Sequence, residues 1–96
     1  MKPNFKMYIH SNSDNMHIKL LGDLDSNAID MLALHIDKNS RKFSKIFIYT
    51  NDLKRIHDSS KDILREKIGV SEIDMFNLKF AGEYAADIAP YPFQII

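Results

Sequence analysis

The residues whose side chains are best suited to chemistry form one polar stretch, His57-Asp58-Ser59-Ser60. It offers an imidazole, a carboxylate and two hydroxyls on successive residues. A catalytic triad is defined by geometry, and neighbours on one loop seldom point at each other productively. The simpler interpretation is the start of a helix, because Ser59 and Asp62 have capping-box spacing and carboxylates are favoured near helix N-termini.

Two further carboxylates, Asp23 and Asp25, follow a predicted strand and precede a predicted helix. Carboxylates at such positions serve turns and helix caps. A magnesium or calcium site would need additional oxygen ligands, to which the sequence does not point. The histidines show no metal-ligand spacing either; they are His10, His17, His35 and His57. We therefore predict no metal and no cofactor.

Other catalytic signatures are missing from the sequence. The three glycines stand far apart, so there is neither a Gly-Xaa-Ser-Xaa-Gly elbow nor a phosphate-binding glycine loop. The chain has no cysteine, which excludes disulfides, thiolate zinc sites and a cysteine nucleophile. These features favour a binding module over an enzyme.

Length and charge limit the classes of partner. The 96 residues fit one domain, residues 1–96. Thirteen Lys and Arg balance thirteen Asp and Glu, so the neutral chain has no overall electrostatic reason to seek nucleic acid or anionic lipid. No stretch approaches the roughly 20 apolar residues of a membrane helix. We expect a cytoplasmic protein that binds no nucleic acid and does not insert into a membrane.

The first half of the chain predicts a hairpin followed by a helix. Apolar residues alternate with polar ones in two segments around the turn cluster 11–15, which indicates two half-buried strands; these residues are Phe5, Met7, Ile9, Met16, Ile18 and Leu20. Asp25 or Ser26 can cap the following helix. Its apolar stripe consists of Ile29, Leu32, Ala33 and Ile36.

The second half predicts two more strands and two more helices. In segment 45–49, four apolar residues follow Lys45 in succession, which is typical of a central strand covered on both sides, and Asn51-Asp52 should end it. A helix should begin near Asp58 or Ser59, carry Ile63, Leu64 and Ile68 on its apolar side, and stop at Gly69. The remaining predicted elements are a strand at 75–80 with Phe76, Leu78 and Phe80 on one face, a helix at 83–89 stopped by Pro90, and an apolar tail at 91–96 that covers the core as an edge strand.

Two stretches resemble the STAS family, especially the bacterial anti-sigma-factor antagonists. Residues 18–25, Ile-Lys-Leu-Leu-Gly-Asp-Leu-Asp, resemble the family's strand ending in Gly-Glu-Leu-Asp. Residues 46–60 resemble its apolar strand, Asp-Leu turn and Asp-Ser-Ser-Gly loop. The resemblance spans roughly 5–89. It implies an α/β fold of the STAS type, with a mixed sheet of about four strands, an N-terminal hairpin and two to three helices.

The resemblance also implies a regulatory site, a serine at the start of a helix that a partner kinase phosphorylates to break the complex. The ungapped alignment from Asp52 places Asp58 at the serine position, His57 at the family's aspartate and Ser60 at its glycine. One inserted residue instead places Ser59 at the serine position and Lys61 at the glycine. We prefer the ungapped alignment, which keeps Leu53, Ile56 and Leu64 at the family's apolar positions.

The resulting hypothesis is a protein-binding regulatory domain whose partner is of the anti-sigma-factor or serine-kinase type, without the usual serine switch. Its expected partner-binding or switch residues are Asp58, Ser59, Ser60, His57, Asp52, Asp23 and Asp25. Alternatives are a STAS-type accessory subunit of a membrane transporter, a small ligand-binding domain, and a structural domain that forms a weak homodimer through the hairpin edge or the tail.

Overall fold

The computed structural model describes residues 4–68 and 75–96. Seven principal elements follow in the predicted order, which is confirmed: β1 Phe5–Ser11, β2 Asn15–Leu24, α1 Ser26–Asn39, β3 Lys45–Ile56, α2 Ser60–Ile68, β4 Leu78–Ala81 and α3 Ala85–Ile88. Two single-turn 3₁₀ helices, Met75–Asn77 and Pro92–Gln94, flank β4 and α3. The predicted helix stop at Gly69 lies outside the described residues.

The strands form one mixed sheet in the order β1-β2-β3-β4. β1 and β2 make the expected antiparallel hairpin, while β2 pairs in parallel with β3 and β3 with β4. The Asn12 side-chain oxygen closes the hairpin turn by accepting from the backbone N–H groups of Asp14 and Asn15 at 2.9 and 2.8 Å. The hairpin therefore contributes an antiparallel edge to an otherwise parallel sheet.

The core lies between one face of the sheet and the helices. Alternate residues of β2, β3 and β4 are buried on that face: Met16, Ile18, Leu20, Ile46, Ile48, Leu78 and Phe80. The predicted stripe of α1 is confirmed, since Ile29, Leu32 and Ile36 are completely buried and Ala33 is nearly so. On α2, Leu64 and Ile68 are buried and Ile63 packs against the same cluster.

The prediction that the strand at 45–49 is covered on both sides is wrong. Parallel crossovers are right-handed, and β2-α1-β3 and β3-α2-β4 step across the sheet in the same direction, so both helices pack on the same face. Phe47 and Tyr49 on the other face are only partly buried. They are shielded by the neighbouring ring of His17, whose centroid lies 5.0 Å from Phe47 and 5.7 Å from Tyr49.

Strand β3 is longer than the sequence predicted. Asn51 and Asp52 do not end it, because Asp52 pairs with Leu21 and Leu53 with Gly22 after a register shift. A bulge of this kind accommodates extra residues while the ladder continues. The strand consequently reaches Ile56, directly before His57.

The C-terminal predictions need several corrections. Phe76 belongs to a 3₁₀ turn and is 66% exposed, so it does not share a buried strand face with Leu78 and Phe80. The third helix is shorter than predicted, and the tail is mostly exposed. The tail makes a single parallel bridge, Phe80 to Ile95, and the side chain it buries is that of Gln94.

Candidate functional site

The starts of α1 and α2 meet at the carboxyl ends of two adjacent parallel strands. The carbonyl oxygen of Leu24, the last residue of β2, accepts the backbone N–H of His57 at 3.1 Å. It also accepts the hydroxyl of Ser60 at 3.4 Å. Loops at the carboxyl ends of parallel strands are a common location for binding sites in α/β sheets. One backbone oxygen therefore joins the two predicted motifs, which are far apart in sequence.

Asp25 and Asp23 both have structural partners. Asp25 is the N-cap of α1, and its carboxylate accepts the N–H of Ala28 at 2.9 Å. Asp23 accepts a hydrogen bond from the side-chain amide of Asn4 at 3.2 Å, and its backbone N–H donates to the Asn4 carbonyl. Asp25 thus lies beside the α2 loop, as expected if the strands are adjacent, while Asp23 faces the segment before β1.

The loop before α2 presents three exposed polar side chains, those of His57, Asp58 and Ser59. The helix begins at Ser60, one residue beyond the predicted range, and the Ser59 carbonyl accepts the N–H of Ile63. Ser60 is 1% exposed and its hydroxyl is engaged with Leu24. We call the exposed trio His57, Asp58 and Ser59 the loop surface.

Asp52 lies apart from the loop surface. It belongs to β3, and its carboxylate forms an ion pair with the amino group of Lys19 at 3.2 Å. Lys19 points to the sheet face opposite the helices, since Ile18 and Leu20 on either side of it are buried. The structure therefore brings Asp25 and residues 57–60 together but places Asp52 on a different face.

A cleft of about 340 Å³ opens beside the loop surface. Its lining joins the end of β3 and the loop to α3; the residues are Lys54, Arg55, Ile56, His57, Asp58, Tyr84 and Asp87. Sequence reasoning missed Tyr84 and Asp87, although the loop after the fourth strand had to lie at the same edge of the sheet as the loop after the third.

Buried Thr50 positions the β4-α3 loop beside this cleft. Its hydroxyl donates to the Ala81 carbonyl and accepts the N–H of Tyr84, each at 3.0 Å. The adjacent Asn51 side-chain oxygen accepts the N–H of Glu83 at 2.6 Å. Side chains of β3 therefore fix the backbone that carries Tyr84 into the cleft.

The apolar residues on either side of the loop pack into the core. Leu53 and Leu64 are buried, and Ile56 packs against the core. With these three residues fixed, the segment between them lies at the surface with Asp58 near the helix N-terminus. In the part of the chain that the structure describes, no group of three or more metal-ligating side chains is assembled. No helix within the same residues is long and apolar enough to span a bilayer.

Comparison with known proteins gives matches at the level of structure. No protein-family profile matches the sequence, and no curated protein matches it. A structure of the anti-sigma factor antagonist SpoIIAA in its unphosphorylated form superposes with a TM-score of 0.61 at 14% identity, over 96% of this chain and 86% of that one. An uncharacterised DUF3478-family protein with a SpoIIAA-like fold from Shewanella loihica PV-4 gives 0.57 at 16% identity, over 100% and 90%.

The chain therefore has a SpoIIAA-like fold of the STAS type, which confirms the predicted fold class. Its four-stranded mixed sheet, N-terminal hairpin and helical layer are those that the resemblance implied. At this level of identity the comparison establishes the fold. The roles of individual residues rest on the geometry described above.

Proposed function

We propose that this chain is a protein-binding regulatory domain resembling anti-sigma-factor antagonists, and that it docks through the loop surface and the adjoining cleft. The observation that carries the proposal is that a polar, exposed loop is held in place by one buried residue, Ser60. Asp58 and Ser59 are exposed, whereas Ser60 beside them is buried and bonded to the end of β2. A loop held in one conformation loses less conformational entropy on binding than a free one.

The cleft extends the same docking surface. Its charged lining residues are of both signs, Lys54 and Arg55 against Asp58 and Asp87. Small-molecule pockets are lined mainly by apolar and aromatic side chains with few polar groups. A charged, open cleft suits polar side chains of a protein partner better than a small ligand, which is the reason to rank the ligand-binding alternative second.

Asp58 occupies the switch position in this proposal. A carboxylate near the first turn of a helix is stabilised by the helix dipole and the free backbone N–H groups. The position then carries a permanent negative charge in place of a phosphate that is added and removed. Partner binding would respond to other signals, and the partner would be of the anti-sigma-factor or serine-kinase type.

The first experiment tests the surface. The tagged protein is used to capture partners from its native host, and the affinity for each captured protein is measured with purified components. The double variant Asp58→Ala, Ser59→Ala is expected to weaken binding at least tenfold, which is about 1.4 kcal/mol. The matched control is Ser13→Ala, Asp14→Ala, an exposed pair in the hairpin turn. Equal binding by both double variants to every captured partner would reject the proposed surface.

The second experiment tests the switch. Intact-mass measurement of protein isolated from the host, with a candidate kinase co-expressed, is expected to show no phosphate. Phosphate that disappears in Ser59→Ala but persists in Ser13→Ala would place Ser59 at the switch position. It would support the gapped alignment and reject the role given to Asp58.

The identity of the partner separates the remaining alternatives. A captured transporter subunit would indicate a STAS-type accessory role, while an anti-sigma factor or serine kinase would support the main proposal. Sedimentation at several protein concentrations tests the oligomerising alternative, which requires self-association. A strict monomer would exclude it.

A further inference from the structure

The sheet face opposite the helices carries rings and lysines in two rows that cross all four strands. We call the eight positions of these two rows, four in each, the open face. Following the strand registers from β1 to β4, the first row is Tyr8, Lys19, Tyr49 and Ala81. The second row is His10, His17, Phe47 and Lys79. Five of the eight side chains are planar rings, two are lysines, and none is acidic.

Three of the five rings, those of His17, Phe47 and Tyr49, are arranged in near-parallel planes. His17 lies at interplanar angles of 9° to Phe47 and 17° to Tyr49. A hydrogen bond of 2.7 Å between His17 Nδ1 and the Tyr49 hydroxyl fixes this group. His10, directly opposite His17 on the edge strand, lies 6.3 Å from it between ring centroids. Tyr8 is 58% exposed. The open face therefore combines an ordered group of rings at its centre with accessible rings at the β1 edge.

The charge of this face differs from that of the chain. Lys19 and Lys79 belong to the two rows, and Lys6 and Lys45 lie on the same face in the neighbouring register positions. Among the residues that the structure describes, Asp52 provides a carboxylate in the next register position, and it is already paired with Lys19 through partly exposed side chains. A chain with zero net charge thus presents a locally positive face.

We propose that the open face binds single-stranded nucleic acid. Unpaired bases stack on aromatic and histidine rings of exposed sheets, and lysines contact the phosphates between them. A second copy of this chain is a poorer occupant, because two positive faces would repel each other. The inference is independent of the proposed docking site, and it departs from the expectation based on total charge, which averages over all surfaces.

A depression next to the first row extends the proposed binding path. It has a volume of about 300 Å³, and Lys6, Leu21, Gly22, Asp52 and Lys54 contribute to its lining. Lys6, Leu21 and Asp52 pair across the strands as the next row after that of Tyr8. A nucleic-acid strand that crosses the two rows would reach two more lysines at this depression, Lys6 and Lys54.

The test measures fluorescence anisotropy of labelled oligouridylate and oligothymidylate of about ten nucleotides, with a mixed-sequence duplex of equal length as a third arm. Both single strands are expected to bind more tightly than the duplex, whose bases are not free to stack. Affinity should fall as salt rises, since phosphate contacts release counterions. A difference between the RNA and DNA arms would identify which nucleic acid is preferred. Absence of saturable binding in both arms, or tighter binding of the duplex, would overturn the proposal.

Two pairs of variants locate the binding. Tyr8→Ala, His10→Ala removes the two rings on β1 and is expected to weaken single-strand binding at least tenfold. Leu34→Ala, Lys38→Ala is the matched control on α1, where Leu34 is 57% exposed, and it should bind as the wild type does. Lys6→Ala, Lys45→Ala should flatten the salt dependence, whereas Lys38→Ala, Lys42→Ala should not. Equal losses in test and control pairs would overturn the assignment to this face.

A measurement on the unaltered protein covers the case in which a variant fails to fold. Backbone amide shifts are followed by NMR during titration with the tighter-binding single strand. Changes are expected in β1, β2, β3 and β4, with smaller changes in the outer turns of α1. Changes centred on α1 or on the loop surface would contradict the proposal.

Discussion

Asp25 is a residue whose predicted and observed roles agree, since it caps α1 through its carboxylate. Replacing it with alanine should lower the free energy of unfolding by about 1 kcal/mol, the usual cost of losing an N-cap. Asp25→Asn should lose much less, because its side-chain oxygen can still accept the Ala28 N–H. Urea denaturation followed by circular dichroism measures both. Equal destabilisation by the two variants would show that the charge, and not the cap, is what matters.

Gly22 is required by the backbone at the bulge in β2. Its φ is +89°, a conformation that disfavours any side chain, and a Cβ built there would lie 1.9 Å from the carbonyl oxygen of Asn4. Gly22→Ala should therefore reduce the free energy of unfolding by about 1 to 3 kcal/mol. A matched Ser13→Ala in the exposed turn should change it by less than about 0.5 kcal/mol. Wild-type stability of Gly22→Ala in urea denaturation would contradict the tight approach of Asn4 to β2.

Single residues also show where sequence reasoning reached its limit at the candidate site. That Asp25 or Ser26 caps α1 was predictable, because both precede an apolar helical stripe. The difference between Ser59 and Ser60 was not, because both are serines beside the same helix start. Only the path of β2 decides that Ser60 meets the Leu24 carbonyl while Ser59 stays exposed.

At the scale of elements, α1 offers a direct comparison between its buried and exposed faces. Leu32 is completely buried, while Leu34 two residues later is 57% exposed. Leu32→Ala should cost about 2 to 5 kcal/mol, the range for leucine truncation in a packed core. Leu34→Ala should cost less than about 0.5 kcal/mol, as surface substitutions do. Thermal and urea unfolding provide the values, and comparable losses would mean that the helix packs differently.

The elements that were predicted well are those whose pattern is local. The hairpin and the apolar faces of α1 and α2 follow from periodicity alone. The length of β3 and the course of the tail depend on partners distant in sequence. Asn51 and Asp52 look like a strand end, but pairing with β2 continues through them. Gln94 looks like a surface residue among apolar ones, yet it is buried because its side chain donates to the Met75 carbonyl and accepts the Tyr91 N–H.

At the scale of the whole molecule, the loop surface and the open face share no residue, although Lys54 lines both the cleft beside the first and the depression beside the second. If both proposals hold, substitutions on one surface should leave binding at the other unchanged, because distant sites usually contribute additively. Asp58→Ala, Ser59→Ala should weaken partner binding and leave oligonucleotide affinity within about twofold of the wild type. Tyr8→Ala, His10→Ala should give the reverse pattern. A variant combining all four changes, measured for both ligands, completes the comparison.

Energetic coupling between the surfaces would appear as non-additivity in that combined variant. The structural route for such coupling is β3, which carries Phe47 and Tyr49 on the open face and leads into His57. A combined loss that differs from the sum of the separate losses would show that the two ligands influence each other.

The parallel pairing of β2 with β3 has a consequence for the chain during its synthesis. Asn15 pairs with Lys45, so α1 must be completed before β2 finds its second neighbour. Between Leu24, which completes the hairpin, and Ile56, which completes β3, 32 residues are added, which takes about 2 to 6 seconds at 5 to 20 residues per second. During this interval the nascent hairpin exposes the unpaired edge of β2 and an apolar side formed by Met16, Ile18 and Leu20. Unpaired strand edges promote aggregation, so ribosome-bound chains halted before Lys45 should be more prone to it than chains extended past Ile56.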